Sequence, residues 1–481
     1  MTPCRFAQIG YDAGMNVSPN HPVAAPVLPP APTPRATQLG PFDLLRTLRR
    51  NPIETWTTAH FERPILSGRG LLGIGAVVSD PRAIRRVLLD NAANYRKDAL
   101  QKRVLAPGLS NGLLTAEDDA WRMQRRALAP LFTPRLVTSF AAAMARNAEA
   151  LATRWSHLRS GRIIDVQQHM ARVTLDILGE TIFSDGLERN PDEFMAAMSH
   201  FFATIGTLDL ADLLDFPDWV PRLAQLRSRS SISFFEAAVD AIIARRKALL
   251  AGDQGAPEDL LTLLLRAQDP QTGTGLSDTE VKANIVTFIA AGHETTANAL
   301  TWSLFLLSLS PEWSARLGAE AEREVDGPVA GLAERLVETR AVIEEAMRLY
   351  PPVASLSREA IGPDDLCGRR IRKGALVVIS PYVLHRHALL WNKPNHFDPS
   401  RFLPQHRERI DRYAYLPFGA GPRICIGAAF SIQEAVIVLA TLMRRFEVLP
   451  VPGHTVEPIQ RITLRPNNGM PLILQKRRGG D

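Results

Sequence analysis

The chain has 481 residues, 46% of them hydrophobic and 22% charged, which supports a sizeable buried core and excludes a disordered or collagen-like polymer. Lys and Arg number 56 against 50 Asp and Glu, a net charge of +6 that fits an acidic protein partner; with no arginine-rich arm and no zinc-ligand spacing, nothing argues for nucleic acid. The three cysteines, Cys4, Cys367 and Cys425, have no framework spacing, so a disulfide scaffold is excluded and a reducing cytoplasm is the expected compartment.

Residues 1–40 begin with no apolar stretch long enough for a signal peptide or membrane anchor and continue through Pro19, Pro22, Pro26, Pro29, Pro30, Pro32 and Pro34. This composition predicts a polyproline-like, mobile extension. From 41 to 481 no Gly/Ser linker or charge block divides the chain, so one large domain is expected. Pro64 to Val78 reads as glycine-punctuated strands ending at a helix start, Asp80-Pro81. Gly73-Ile74-Gly75 begins like a dinucleotide loop, but Val78 stands where its third glycine should be. From about 117 to 350 apolar residues recur at helical spacing, notably in Leu131–Leu151, Val166–Phe183 and Phe234–Leu250; strand-like runs return at Cys367–Val383 and Arg461–Leu474. The fold class is therefore mainly α with small β-sheets (α+β), without internal repeats.

Ser277-Asp278-Thr279-Glu280 forms a capping box ahead of a run reaching about Leu309, a helix of roughly 45 Å. Lys282, His293 and Glu294 break its apolar stretch, which excludes a membrane span. In its middle, Ala291-Gly292-His293-Glu294-Thr295-Thr296 places a glycine and polar groups where propensity and pattern disfavour them, which points to a functional reason. Ala291, Thr295 and Asn298 share a face and are expected to line a groove; His293 reads as a helix-surface neighbour. Further on, Glu345 and Arg348 lie on one face of a helix ending at Tyr350-Pro351-Pro352. Phe418-Gly419-Ala420-Gly421-Pro422-Arg423-Ile424-Cys425-Ile426-Gly427 sets a lone cysteine between glycines at the start of an apolar helix. The helix dipole, approaching backbone N–H groups and Arg423 all favour a thiolate, suited to nucleophilic attack or to metal ligation.

The pattern Phe418-x-x-Gly421-x-Arg423-x-Cys425-x-Gly427 resembles the haem-ligand loop of the cytochrome P450 family. Ala291–Thr296 resembles its oxygen-binding segment, and Glu345-x-x-Arg348 with Pro399-Ser400-Arg401-Phe402 its charge-network signatures. The likeness runs in family order from about residue 42 to 475, with Ser400 standing where glutamate is commoner. It implies the cytochrome P450 fold, with haem b between the long central helix and the cysteine loop. It makes Cys425 the axial ligand in a loop bearing Phe418, Gly419 and Gly427, has Gly292 open the helix beside Ala291, and gives Thr295 the dioxygen and Glu294 the protons. Trp121, Arg125, Arg358 and Arg423 are expected at the haem propionates; Glu345, Arg348 and Arg401 form a buried network behind the haem. His385 and His387 fall in a stretch with a structural role.

The implied activity is insertion of one atom of O2 into a lipophilic substrate, using a ferredoxin- or flavodoxin-type donor and its NAD(P)H reductase, by a soluble, cytoplasmic monomer. Arg122 and Arg126 are candidates for docking the donor. Substrate contacts are expected from Asp98–Leu113, Phe201–Trp219, Ala291 and Thr295, Val353–Leu356 and Asn467–Met470. A peroxide-driven peroxygenase or isomerase and a non-catalytic haem sensor remain alternatives on the same fold.

Overall fold

The computed structural model describes residues 27–70, 73–184, 223–252 and 255–477. Its axis is the helix Asp278–Ser308, which starts at the expected capping box: Ser277 Oγ accepts from the Glu280 N–H, and the Glu280 carboxylate accepts from the Ser277 N–H at 2.9 Å. Nearly every residue from Val281 to Ser308 is buried, because other helices sheathe this one on all sides. Val166–Phe183 lies along it, capped by Asp165, while Val337–Leu349 and Ala428–Arg445 pack from the other side. An apolar helix of this length is stable in water only because such neighbours cover it. Among the described residues no single helix is long and apolar enough to cross a membrane.

Four small sheets flank the helices. The largest has the order β1 (Ile65–Gly70), β2 (Gly73–Val78), β8 (Leu376–Ile379), β5 (Leu356–Ala360), β3 (Tyr95–Arg96). Only β2 and β8 run parallel, with Gly75 opposite Leu376; Ser357 of β5 pairs with Val378. The Gly73–Gly75 segment is thus a strand, as its failed dinucleotide pattern requires. A short hairpin joins β6 (Asp364–Leu366) and β7 (Arg369–Ile371). The third sheet has the order β4 (Arg162–Asp165), β12 (Pro471–Lys476), β9 (Phe446–Pro450), and the last pairs β10 (Pro458–Gln460) with β11 (Leu464–Pro466). One large apolar core surrounds the central helix, and a smaller one lies under the five-stranded sheet.

Two sequence readings change. Cys367–Val383 is strand only in part, since Pro381–Leu384 forms a helical turn capped by Ser380 Oγ. The described part of the Pro-rich segment, read as mobile, is tied to the body at several points. Tyr350 Oη donates to the Pro30 carbonyl at 2.7 Å, Phe397 N–H to the Val27 carbonyl, and Arg35 bridges to Thr57. Proline lacks an N–H, so it docks through carbonyls and ring packing, which composition does not reveal.

Candidate active site

Within the otherwise buried central helix, Ala291 is exposed and Gly292, Glu294 and Thr295 are half-buried, so the helix faces open space at its midpoint. The Thr295 hydroxyl donates to the Ala291 carbonyl at 2.6 Å, which leaves its oxygen free to accept. One member of the expected groove, Asn298, and the glycine expected to open the helix, Gly292, are placed differently. Asn298 is buried and donates through Nδ2 to Thr463 Oγ1 at 3.0 Å. Gly292 turns its bare Cα toward the helix Val166–Phe183, where an added Cβ would come within 3.3 Å of Leu178; the missing side chain serves close helix packing, and the helix runs unbroken. His293, the neighbour, is buried with Nε2 against the Ala171 carbonyl at 2.9 Å, and burial pushes its pKa down to about 4.

Glu294 points to the β10–β11 hairpin. Its Oε1 accepts from Thr463 Oγ1 at 2.9 Å and lies 3.5 Å from Arg465, whereas Oε2 has no partner among the described residues. Burial raises its pKa, and Arg465 and Thr463 pull it back.

The cysteine loop is shaped by left-handed glycines. Gly419 and Gly421 have φ of 71° and 73°, and a Cβ on Gly421 would collide with the Leu88 carbonyl oxygen, so no other residue fits there. Cys425 N–H donates to the Phe418 carbonyl at 2.9 Å and closes the loop; the helix that follows begins at Ala428. Cys425 is exposed although the protein around it desolvates the thiol, a combination that fits a side chain facing an internal space. Burial pushes the thiol pKa up, opposed by the Gly427 N–H and by Arg125, the two groups that favour the thiolate expected at this position. Thr296 and Ser431 hydroxyls meet at 3.0 Å, and the Phe132 ring, edge-on to Phe288, comes within 3.8 Å of where a Gly427 Cβ would stand. The cysteine loop and the open midpoint of the central helix are therefore neighbours.

Around the same space stand cations without anions. Arg358 is half-buried and, among the described residues, donates only to the carbonyl of the preceding Ser357; Arg125 pairs with no carboxylate among the described residues. Burial lowers the pKa of both. Arg423 differs from expectation, because Glu117 already holds it at 2.7 Å, the Ala116 carbonyl at 3.0 Å, and its guanidinium lies 4.3 Å over the Trp121 ring. Two half-buried guanidiniums, with no carboxylate bonded to them among the described residues and beside a recessed sulfur, fit a dianionic metal macrocycle: Arg125, Arg358 and the Trp121 N–H can hold carboxylates while the sulfur meets the metal. The predicted network is assembled. Arg348 donates to both Glu345 oxygens at 2.6 and 2.8 Å, and Arg401 approaches Glu345 at 3.6 Å.

Arg126 is no free docking cation, since it grips the buried Asp269 carboxylate with bonds of 2.8 and 2.6 Å and holds it well below the usual range; Arg122 stays exposed beside the exposed Asp119. His385 and His387 form no metal pair: His385 Nε2 accepts from the Leu416 N–H at 2.8 Å, its pKa pushed down to about 3 by burial. Among the expected substrate contacts, Val353 is 36% exposed between buried Pro352 and Ala354, Met470 is buried, and Phe201–Trp219 lies outside the described residues. Missed altogether was an amide cross-link. Asn284 Nδ2 donates to Gln124 Oε1, Gln124 Nε2 to the Asn111 carbonyl, and Leu113 N–H to Asn284 Oδ1, which pins the end of the Asp98–Leu113 segment, a helix over Ala99–Leu109 and not the expected loop, between two site helices. Buried amides facing each other from helices 160 residues apart leave no mark on local periodicity.

The family model described as Cytochrome P450 matches residues 75–473. Cyclooctatin synthase of Streptomyces melanosporofaciens is 34% identical over 80% of this chain and 83% of its own length. Cyclooctat-9-en-7-ol 5-monooxygenase of the same organism is 33% identical over 78% and 80%, and human cytochrome P450 4A11 30% over 78% and 75%. Among solved structures, the crystal structure of the cytochrome P450DA heme domain superposes with a TM-score of 0.80 at 25% identity, covering 93% of this chain and 98% of that one.

Proposed function

The chain belongs to the cytochrome P450 family of haem b, cysteine-thiolate monooxygenases, and from that premise we propose that Cys425 is its haem ligand and that it hydroxylates or epoxidises a lipophilic substrate with O2. The observation that carries this reading is the convergence of the recessed Cys425 sulfur, the opened midpoint of the central helix and the two unpaired cations Arg125 and Arg358. Haem b, when bound, supplies dioxygen activation and oxygen transfer, while the protein positions substrate, excludes water and delivers protons. Ala291 and Val353 give the substrate an apolar wall, and Thr295 offers a hydroxyl oxygen beside it. Glu294, a half-buried acid whose pKa is raised above the ordinary carboxyl value by desolvation, is suited to hold and release a proton. That acid–hydroxyl pair supports the O2 route over a peroxide-driven one.

Two electrons come from a separate ferredoxin- or flavodoxin-type donor and its NAD(P)H reductase, in the cytoplasm. A carbocyclic olefinic alcohol or fatty-acid-like lipophile is the favoured substrate class, in keeping with the names of the relatives. The test is reconstitution with haem b and donor proteins, with a substrate-binding spectral screen over terpenes, fatty acids and steroids. The carbon monoxide complex of the reduced protein carries the thiolate signature, Cys425→His loses it, and Thr295→Ala consumes NADPH and O2 with much less product. A thiolate signature that persists in Cys425→His sinks the ligand assignment; product formed only with peroxide sinks the O2 reading.

A further inference from the structure

Glu294 is one end of a chain of side chains that reaches it from outside its own helical turn. Asn298 Nδ2 donates to Thr463 Oγ1 at 3.0 Å, and Thr463 Oγ1 lies 2.9 Å from Glu294 Oε1, so with its lone pair engaged by the amide the hydroxyl spends its hydrogen on the carboxylate. Thr463 and Asn298 are both buried, which protects these bonds from competing water. Thr463 is fixed by its backbone as well: the neighbouring Leu464 N–H donates to the Pro352 carbonyl at 2.9 Å, and its carbonyl accepts from Trp302 Nε1. Arg465, two residues on, stands 3.5 Å from the same Oε1. Among the described residues the side-chain contacts of Glu294 thus converge on one oxygen, and Oε2, itself buried, has none.

We infer that Thr463, oriented by Asn298, is a positioning residue that reserves Glu294 Oε1 as a hydrogen-bond acceptor and so places the acid proton on Oε2. The inference rests on the reading of Glu294 as the proton donor of the site and deepens it. A proton on Oε1 would oppose the Thr463 hydroxyl hydrogen and the Arg465 charge, whereas Oε2 meets neither. When Oε2–H passes its proton to a water, the O–H bond breaks, its electron pair stays on the carboxylate, and the negative charge is taken up by Thr463 and Arg465; solvent returns the proton to Oε2. Arg465 is the charged group that faces Glu294 from the hairpin, and His293, next in the chain, turns to the Ala171 carbonyl.

The test is infrared difference spectroscopy of the protonated carboxyl band in the haem-loaded protein, identified by its loss in Glu294→Gln and titrated against pH in wild type, Thr463→Val and Thr463→Ser. Thr463→Val keeps the shape, removes the hydroxyl and shifts the Glu294 midpoint upward by about one pH unit or more, since a carboxylate loses a hydrogen bond. Thr463→Ser restores the wild-type midpoint. The pH profile of coupled turnover moves with the band in both variants. A midpoint unmoved by Thr463→Val, or moved equally by Thr463→Ser, overturns the inference whatever the turnover assay gives. A midpoint that moves as expected while Glu294→Gln retains full coupling overturns the donor reading instead, and leaves Thr463 as the residue that sets where the Glu294 proton sits.

Discussion

Arg348 is completely buried and makes five hydrogen bonds from one guanidinium: Nε and Nη2 to the two oxygens of Glu345, Nη1 to the His385 and Pro394 carbonyls at 2.7 and 2.6 Å, and Nη2 to the His396 carbonyl at 2.9 Å. Arg348→Lys preserves the charge and removes the fork. A lysine ammonium has three hydrogens at a single point, so at least two of the five acceptors lose their donor. At about 1–3 kcal/mol for each buried group left unpaired, the cost is about 2–6 kcal/mol. Unfolding a chain of 481 residues carries an entropy of roughly 1 kcal/mol per kelvin, so the midpoint falls by about 2–6 °C. Arg348→Leu goes further, since it leaves Glu345 as an uncompensated buried charge, worth about 3–5 kcal/mol more against a typical total of about 5–15 kcal/mol. That variant does not accumulate as folded protein. Far-ultraviolet circular dichroism and haem absorbance during a thermal ramp give the midpoints. Arg401→Lys is the internal control. Arg401 reaches Glu345 only at 3.6 Å and one carbonyl at 3.3 Å, and its loss of fork geometry costs about 1 kcal/mol. An Arg348→Lys midpoint within about 1 °C of wild type, or equal shifts in the two lysine variants, refutes the reasoning that the fork holds this layer together.

Arg358→Gln removes a half-buried cation that bonds no carboxylate among the described residues, so the apoprotein melts no earlier while haem is lost about ten- to a hundredfold faster, the worth of a charge-assisted hydrogen bond; transfer of haem to apomyoglobin and melting of the apoprotein measure the two effects. Glu434 is fully buried with neither oxygen bonded among the described residues, and burial raises its pKa well above the ordinary value. Its stabilising contribution is therefore complete below the unfolded carboxyl pKa and lost as pH rises through the folded one. Glu434→Gln accordingly raises the thermal midpoint at pH 7–8 and leaves it unchanged below about pH 4, with an equal gain at both pH values as the contrary result.

The features legible from residue order are those whose physics acts within a turn or two. The capping box at Ser277 started the central helix where spacing put it, and Glu345 with Arg348 had to share a face because a helix brings i and i+3 together. Glycine at 419 and 421 announced a loop that only a residue without Cβ can follow. What escaped depends on which surface arrives opposite. Arg126 looked like a free surface cation until Asp269, 143 residues later, proved to lie under it. Gly292 looked like a hinge toward the haem, but Leu178 fills the space its side chain would take.

Cys425 shows the same limit in its electrostatics. The helix start and the glycines predicted a low pKa from local dipoles, yet the surrounding protein removes water from the sulfur, and desolvation outweighs the dipoles until a positive partner is supplied. Arg125 and Arg358 present the opposite charge problem, two partly desolvated cations that bond no carboxylate among the described residues. A ligand carrying a metal cation at its centre and carboxylates at its rim relieves both at once. The sequence-level anomaly of a cysteine between glycines and the structural anomaly of unpaired arginines are thus two sides of one site, and binding energy for the cofactor is stored as the incompatibility of these residues with one another in its absence.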